Sequence, residues 1–594
     1  MDKTRQMNLF SLIHLWGLLI AIGLLSACSN SEYADEFAPH VSDYALEEGS
    51  QDTAFIKDTL TEFPPSGFYP RPFTILFPDN KSLNCEIGGF APTKESPLKK
   101  EISIDSTSTI RCINFSDKSS TETIRTYIFE KKPTIPTIFI TADPNSLFNP
   151  DTGIYMEGPN AEENAPHYGA NYWLDKEIPI FIELIEKNSA TPAFAKYAGL
   201  KIFGNYSRIY AKKSVSITFR KKYGDKQLYY KLFPDYPNLS KFKSFILRNN
   251  GQNFHHDYIR DRLASSISEG LDVDYQRGRF VIAYYNGDYF GIHDLREKSN
   301  EYYFETHYGL NHNNINLLKA NNSASSGSSD EYVSLMDWIK RNDLENDDNY
   351  AYIASKIDIS NYINYMQVEI FADNRDWLAN NIKIWNCTNP QTPWRWFLYD
   401  IDWGFGLKSY NEKNSFNYVL SESGRWQPLL YALLANNNFK TTFINQFTTL
   451  LHTNFETSKT NAAIEQMMSE INAEISRDQK RWSLDASKMD EHLRIIKQFA
   501  IDRPSNLILH LQEYFKLGET IPITFSIKGE GTIYVHNLPI YTNKTTINFF
   551  KGLPVTITAI PQNNGIWSSW NDGDSSAIKT IYPSNETEFT AIFK

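Results

Sequence analysis

The spacing of apolar positions changes along the chain and divides it into segments. From Phe63 to about Thr134, short apolar runs such as Phe73 to Phe77 and Thr109 to Phe115 alternate with turns rich in Pro, Gly, Asn and Ser. Such runs predict a small β-sandwich over 63–134, closed by the proline-bearing stretch Lys131 to Pro136. The same grammar returns over 521–594, in Gly529-Glu-Gly531, Val555 to Ile560, Trp567 to Trp570 and Phe589 to Phe593, and predicts a second small β-domain. Between them, 135–517 carries strand-like runs to about residue 290 and helical spacing after about residue 330. Met467, Met468, Ile471 and Ile475, then Leu493, Ile496 and Phe499, recur at three- and four-residue steps, the stripe of amphipathic helices packed on a core. Strands followed by helices predict an α+β architecture.

The N-terminus carries Lys3 and Arg5, an apolar run from Leu9 to Leu25, and Leu25-Ser-Ala-Cys28 followed by polar Ser29-Asn30-Ser31. A basic start, an apolar core and small residues before the cut define a secretory signal, and the cysteine after Leu-Ser-Ala resembles the bacterial lipobox. The resemblance implies removal of residues 1–27 and a lipid on Cys28. The expected location is the cell envelope, anchored to a membrane through that lipid and facing the periplasm or the cell surface. The run approaches the roughly 20 residues of a membrane helix, but His14 interrupts it. Residues 28–62 are rich in Ser, Asp, Glu and Ala, cannot bury enough apolar surface to fold alone, and read as a tether.

At 594 residues the chain is long enough for several cores. Its 41% hydrophobic and 14% aromatic content is that of folded protein. A net charge of -11 argues against a general nucleic-acid binder, which needs a basic face, and leaves local basic clusters open. Cys85 and Cys112 share the first β-segment, where a disulfide and two buried thiols both stay open. Cys387 stands apart, and no cysteine has metal-ligand spacing.

Three stretches of 135–517 carry chemistry. In the first, Gly204-Asn-Tyr-Ser-Arg208 and Lys212-Lys213-Ser214 lead into alternating Val215, Ile217 and Phe219. A glycine lets backbone approach a phosphate, and a lysine or arginine neutralises its charge; the same pattern also serves as an ordinary turn before a strand. Alternation puts Lys213, not Lys212, on the face of Val215, Ile217 and Phe219. In the second, Arg375-Asp376 is followed by Asn381, the Asp-to-Asn step by which a kinase catalytic loop orients a hydroxyl and holds a metal ion. The third is Trp396 to Tyr399, Asp400-Ile-Asp402-Trp-Gly404-Phe-Gly406, a strand delivering two carboxylates into a glycine-aromatic turn. One or two carboxylates plus phosphates suffice for magnesium; two aspartates capping local backbone is the plainer reading.

In this order the three stretches resemble the CotH kinase family, the spore-coat-protein-H-like atypical kinases. The likeness also takes in Thr141 to Pro144, Gly153 to Tyr155, Lys243 to Arg248, Tyr285 to Ile292, Glu297-Lys298, Asn314 to Leu318, Arg481-Trp482 and Phe499 to Pro504. The resemblance implies a two-lobed, atypical protein-kinase-like domain over 135–517 that uses ATP with Mg2+ or Mn2+ to phosphorylate Ser or Thr of secreted or surface proteins. Asp376 would act on the acceptor hydroxyl; Asn381, Asp400 and Asp402 would hold metal; Lys213 and Arg208 would contact phosphate. The full Gly-x-Gly-x-x-Gly loop and the catalytic-loop histidine of standard kinases are absent. Glu297 reads either as serving the nucleotide or as a surface partner of Arg296 or Lys298, and Arg248, Arg260 and Arg262 receive no site role. The flanking segments resemble an immunoglobulin-like domain before and a bacterial repeat domain after. Such modules also suit a second reading, a non-catalytic surface or adhesion protein that keeps the kinase-like fold as scaffold.

Overall fold

The computed structural model describes residues 58–594, apart from 61, 78–81, 119, 321, 378–379, 409–412, 421–426 and 541. The signal segment, Cys28 and the tether up to residue 57 lie outside the described residues. Asp58–Leu60, expected as the end of the tether, is instead a strand paired in parallel with Phe73 to Ile75. No helix among the described residues is long and apolar enough to cross a membrane.

The first β-region has two sheets. One joins Asp58–Leu60, Phe73–Leu76 and Glu101–Ile104; the other joins Gly67–Phe68, Thr123–Ile128, Ser108–Ile113, Leu83–Ile87 and Leu98–Lys99. Ile75, Ile102, Ile104, Ile110 and Tyr127 fill the space between them. Cys85 faces Cys112 across an antiparallel pair, and the two form a disulfide.

Seven strands then close into a barrel in the order Ile178–Ile185, Phe194–Phe203, Ser214–Thr218, Ser244–Arg248, Asp288–Glu297, Gly278–Tyr285 and Thr137–Thr141. Alternate residues, among them Ile182, Leu200, Val215, Ile217, Leu247 and Val281, form one apolar cluster inside it. The other face is covered too, so Ser214 to Ile217 are all buried and the two-residue rhythm does not reveal which side meets water. On that outer face Phe139, Ile282, Tyr284 and Ile292 join the largest apolar cluster, built with the helices Ile359–Ala372, Asn437–Leu451, Thr457–Arg481 and Ala486–Phe515. The predicted stripe is real: Met467, Ile471, Ile475, Ile496 and Phe499 are buried on the last two. A five-stranded sheet accompanies them, ordered Asp274–Tyr275, Arg395–Leu398, Lys383–Cys387, Ile315–Lys319 and Ala324–Ser326. The chain is thus α+β, with β-sheet regions at both ends of what is described.

Helix Thr457–Arg481 ties the parts together. Asp478 takes hydrogen bonds from Lys212 Nζ at 3.0 Å, Tyr258 OH at 2.7 Å and Ile292 N at 2.8 Å, with the Lys212 and Asp478 side chains wholly buried. Arg477 pairs with Glu130 at 2.6 Å, and Glu474 accepts from Thr134 N at 2.9 Å, fastening the first β-region. The last region has two four-stranded sheets, and its Leu538 and Phe550 enter the large central cluster. Asn445 Nδ2 donates to Pro554 O at 2.8 Å across the same contact.

Candidate functional site

Helix Ile359–Ala372 ends because Asp373 adopts a left-handed conformation, φ 51°, and its N–H returns to the last turn. The chain then bends towards Asp376, and Asn374 holds the bend. Its Nδ2 donates to Glu369 Oε2 at 3.0 Å, and its Oδ1 accepts from Asp376 N at 3.1 Å. Asp376 Oδ1 accepts from Asn380 Nδ2 at 2.9 Å, and Oδ2 from Asn381 Nδ2 at 3.1 Å. Asn381 Nδ2 also lies 3.3 Å from Asp400 O, so one amide links the two motifs. Asn381 and Asp400 both sit at positive φ, 50° and 60°, which residues other than glycine adopt uncommonly.

The strands Lys383–Cys387 and Arg395–Leu398 pair antiparallel and bring Asp400 beside the Asp376 loop. The turn beyond is bonded on several sides. Asp261 Oδ1 accepts from Ile401 N at 2.8 Å, Asn253 Nδ2 donates to Asp402 O, Arg260 Nη1 donates to Gly404 O at 3.1 Å, and Phe405 N donates to Ala372 O at 2.8 Å. Gly251, at φ 62°, passes so close that a Cβ there would stand 2.4 Å from Asp402 Oδ2.

Charge is concentrated here. Arg248, at the end of a barrel strand and 8% exposed, places Nη2 2.6 Å from Asp400 Oδ1 and 3.3 Å from Asp402 Oδ2. Asp261 lies 3.7 Å from Arg248 Nε and also pairs with Arg296. Burial, then the neighbouring Asp400, raises the carboxyls of Asp376 and, much further, Asp402. One lysine borders the acids, and a second acts on it electrostatically. Lys383 Nζ donates to Ser299 O at 2.9 Å and stands 3.8 Å over the Tyr399 ring; burial lowers it to about 7 despite the attraction of Asp400. Lys298 Nζ donates to Ser216 Oγ at 3.0 Å on the barrel's outer face, and burial lowers it to about 8.

Of the residues singled out in the sequence, Asp376, Asn381, Asp400 and Asp402 come together. Lys213 and Arg208 do not join them. Alternation does place Lys213 with Val215 and Ile217, but that face is the barrel's apolar interior. Its ammonium turns back to donate to Arg208 O at 2.6 Å and Tyr210 O at 2.8 Å, over the Tyr172 ring. Arg208 likewise donates to Gly204 O at 2.7 Å and Tyr172 O at 3.0 Å. Glu297 is not at the surface: it is buried, 2.6 Å from His307 Nε2, and accepts from Arg277 N at 3.0 Å. Arg248 and Lys383, which sequence reasoning left out, take the positions beside the acids. The signal for Arg248 was there: it shares a strand face with Ile246, opposite Phe245 and Leu247.

Among the described residues, no group of three or more His, Cys, Asp or Glu side chains is arranged to hold a metal ion by itself. Two carboxylates and an amide are nonetheless the hard oxygen donors that magnesium or manganese accepts when phosphate oxygens complete its shell, and Arg248, paired with Asp400 and Asp402, competes with a cation for both. The donor set fits a nucleotide-bound divalent cation.

Residues 200–507 match the family model described as CotH kinase protein. The matched span contains Arg248, Lys298, Asp376, Asn381, Lys383, Asp400 and Asp402, and excludes the β-sheet regions at both ends. No curated protein matches the sequence.

Proposed function

The chain belongs to the CotH kinase protein family, and on that footing we propose that it transfers the γ-phosphate of ATP to Ser or Thr hydroxyls of proteins at the cell envelope, where a lipid on Cys28 anchors it. The observation that carries this reading is the Asn381 amide joining Asp376 to the backbone of Asp400, which sets an acceptor-side carboxylate next to a metal-side one.

Asp376 orients the acceptor hydroxyl and receives its proton. Its raised carboxyl suits that task, because a base near the working pH transfers protons most effectively. Asp400 and Asp402, with Asn381, are the residues that would hold the divalent cation. Bound with ATP, the cation supplies charge neutralisation for the phosphates. Lys383 and Lys298 replace Lys213 and Arg208 as the phosphate contacts: Lys383 feels the charge of Asp400, Lys298 on the barrel's outer face acts on Lys383, and both partly neutralise the transferring group. The central domain is read as two kinase-like lobes, the barrel and the helical part with its five-stranded sheet.

Incubation with radiolabelled ATP, Mg2+ or Mn2+ and cell-envelope proteins tests the proposal. Wild type labels itself or a protein acceptor, and Asp376→Ala loses about 10²- to 10⁴-fold of the rate. Thermal melting with each nucleotide and metal pair rises through binding to the native state alone. The Arg248 bridge across Asp400 and Asp402 favours the second reading, a non-catalytic surface scaffold. That reading prevails if no nucleotide and metal pair shifts the melt and Asp400→Ala behaves as wild type.

A further inference from the structure

The helix that leads into the Asp376 loop carries a buried acid that neither the family motif nor the metal-side aspartates use. Glu369 is 0% exposed on helix Ile359–Ala372, and burial drives its carboxyl well above the usual carboxylate range. A buried carboxyl is costly unless its hydrogen bonds are met. Oε1 has no partner among the described residues, and Oε2 accepts from Asn374 Nδ2 at 3.0 Å. Closing the helix does not need this side chain. Arg503 donates to Phe371 O at 2.9 Å and to Ile370 O, and the Asp373 and Asn374 amides return to the backbone carbonyls of Ile370 at 3.2 Å and Glu369 at 3.3 Å. What Glu369 alone fixes is the rotation of the Asn374 amide. That amide, 1% exposed, presents Oδ1 to Asp376 N at 3.1 Å.

We infer that Glu369 is a positioning residue for Asp376, acting through Asn374: Glu369 Oε2 holds the amide, and the amide holds the backbone of Asp376. Leu378 and Ala379 lie outside the described residues, and on the other side of Asp376 the Glu369–Asn374 link joins the loop to the helix. The inference rests on the kinase reading only for its catalytic consequence. The positioning itself is a statement about the loop.

The test uses the full chain, with Glu369→Gln, Glu369→Ala and Asn374→Ala. Two quantities are measured: turnover of MgATP with water as acceptor, and hydrogen exchange of the Asp376 amide. Glutamine keeps an acceptor oxygen at the same reach, so Glu369→Gln retains wild-type exchange and a kcat within about threefold, a modest loss for a conserved hydrogen bond. Glu369→Ala and Asn374→Ala exchange the Asp376 amide at least about tenfold faster, and lose about 10- to 100-fold in kcat while KM for MgATP stays within about threefold. Should Glu369→Ala not fold, Glu369→Leu, which fills the same space but accepts no hydrogen bond, takes its place, and Asn374→Ala sets the exchange expected when the Asp376 amide loses its acceptor outright. The inference is overturned if the alanine variants that fold keep wild-type exchange at Asp376, or if Glu369→Gln loses as much kcat as Glu369→Ala. If wild type turns over no ATP and no nucleotide and metal pair shifts its melt, the kinase reading fails and the exchange rates alone judge the positioning.

Discussion

Arg248 Nη2 stands 2.6 Å from Asp400 Oδ1 and 3.3 Å from Asp402 Oδ2, so one buried guanidinium holds together two carboxylates that would otherwise repel. Removing one partner of a buried ionic cluster leaves the rest uncompensated, typically at about 3–5 kcal/mol. Arg248→Ala should therefore melt well below wild type in the absence of metal. Magnesium should then raise the melting temperature of the variant more than that of wild type, since it supplies the charge the guanidinium gave. Equal metal-induced shifts in both proteins would show that the cation does not enter this cluster.

Lys298 predicts a pH dependence. Burial chiefly depresses its ammonium to about 8, so the charge is present below that pH and is lost as pH rises through it. The value of kcat/KM for MgATP, which reports groups of the free enzyme, should fall above about pH 8. Lys298→Arg, charged throughout, should lose the step near pH 8 and keep only the fall that Lys383 imposes near pH 7. A wild-type profile without that fall would remove Lys298 from phosphate binding.

Glu183 links stability to pH at the contact between the first β-region and the barrel. Ser66 Oγ donates to its Oε2 at 2.8 Å, yet burial raises the carboxyl from the usual 4.5 to about 7. Below pH 4.5 the group is protonated whether the chain is folded or not, and its contribution is fully present. Between 4.5 and 7 the unfolded chain gives up the proton first, so stability falls by about 3 kcal/mol and then levels. Urea unfolding at pH 5 and pH 8 should give a smaller loss for Glu183→Gln than for wild type. Equal losses would mean that Glu183 titrates normally.

Asp478 collects Lys212, Tyr258 and the Ile292 amide in a fully buried site, and Gly291 lies so near that a Cβ would sit 1.8 Å from Asp478 Oδ1. Asp478→Asn strands the Lys212 ammonium and should cost about 3–5 kcal/mol in denaturant unfolding. Lys212→Met together with Asp478→Leu should recover part of that loss, because an apolar pair of similar volume avoids burying charge. A double variant no more stable than Asp478→Asn would indicate that the Tyr258 and Ile292 bonds dominate.

The acid side of the site was legible in the sequence because it is local. Asp376 and Asn381 occupy one loop, Asp400 and Asp402 one turn, and the strand pair that brings them together lies between the two motifs in the chain. The basic side was not. Alternation says that Lys212 and Lys213 face opposite ways, but in a closed barrel with both faces buried it cannot say which way the acids lie. Lys213 entered the apolar interior, while Arg248 reached the cluster from a strand whose partners, Ser214–Thr218 and Asp288–Glu297, lie far from it in the chain. The α+β class and the buried stripes at Met467 and Ile496 followed from periodicity alone. The strand Asp58–Leu60 escaped notice because three residues paired in parallel carry almost no pattern of their own.

The terminal pair of four-stranded sheets reads in the sequence as a bead on a string, but Leu538 and Phe550 are built into the central apolar cluster and Pro554 is bonded to a helix of that cluster. Such a segment cannot be exchanged among unrelated proteins as a cassette. An excised fragment ending at residue 517 would carry a sticky apolar scar where those side chains had been.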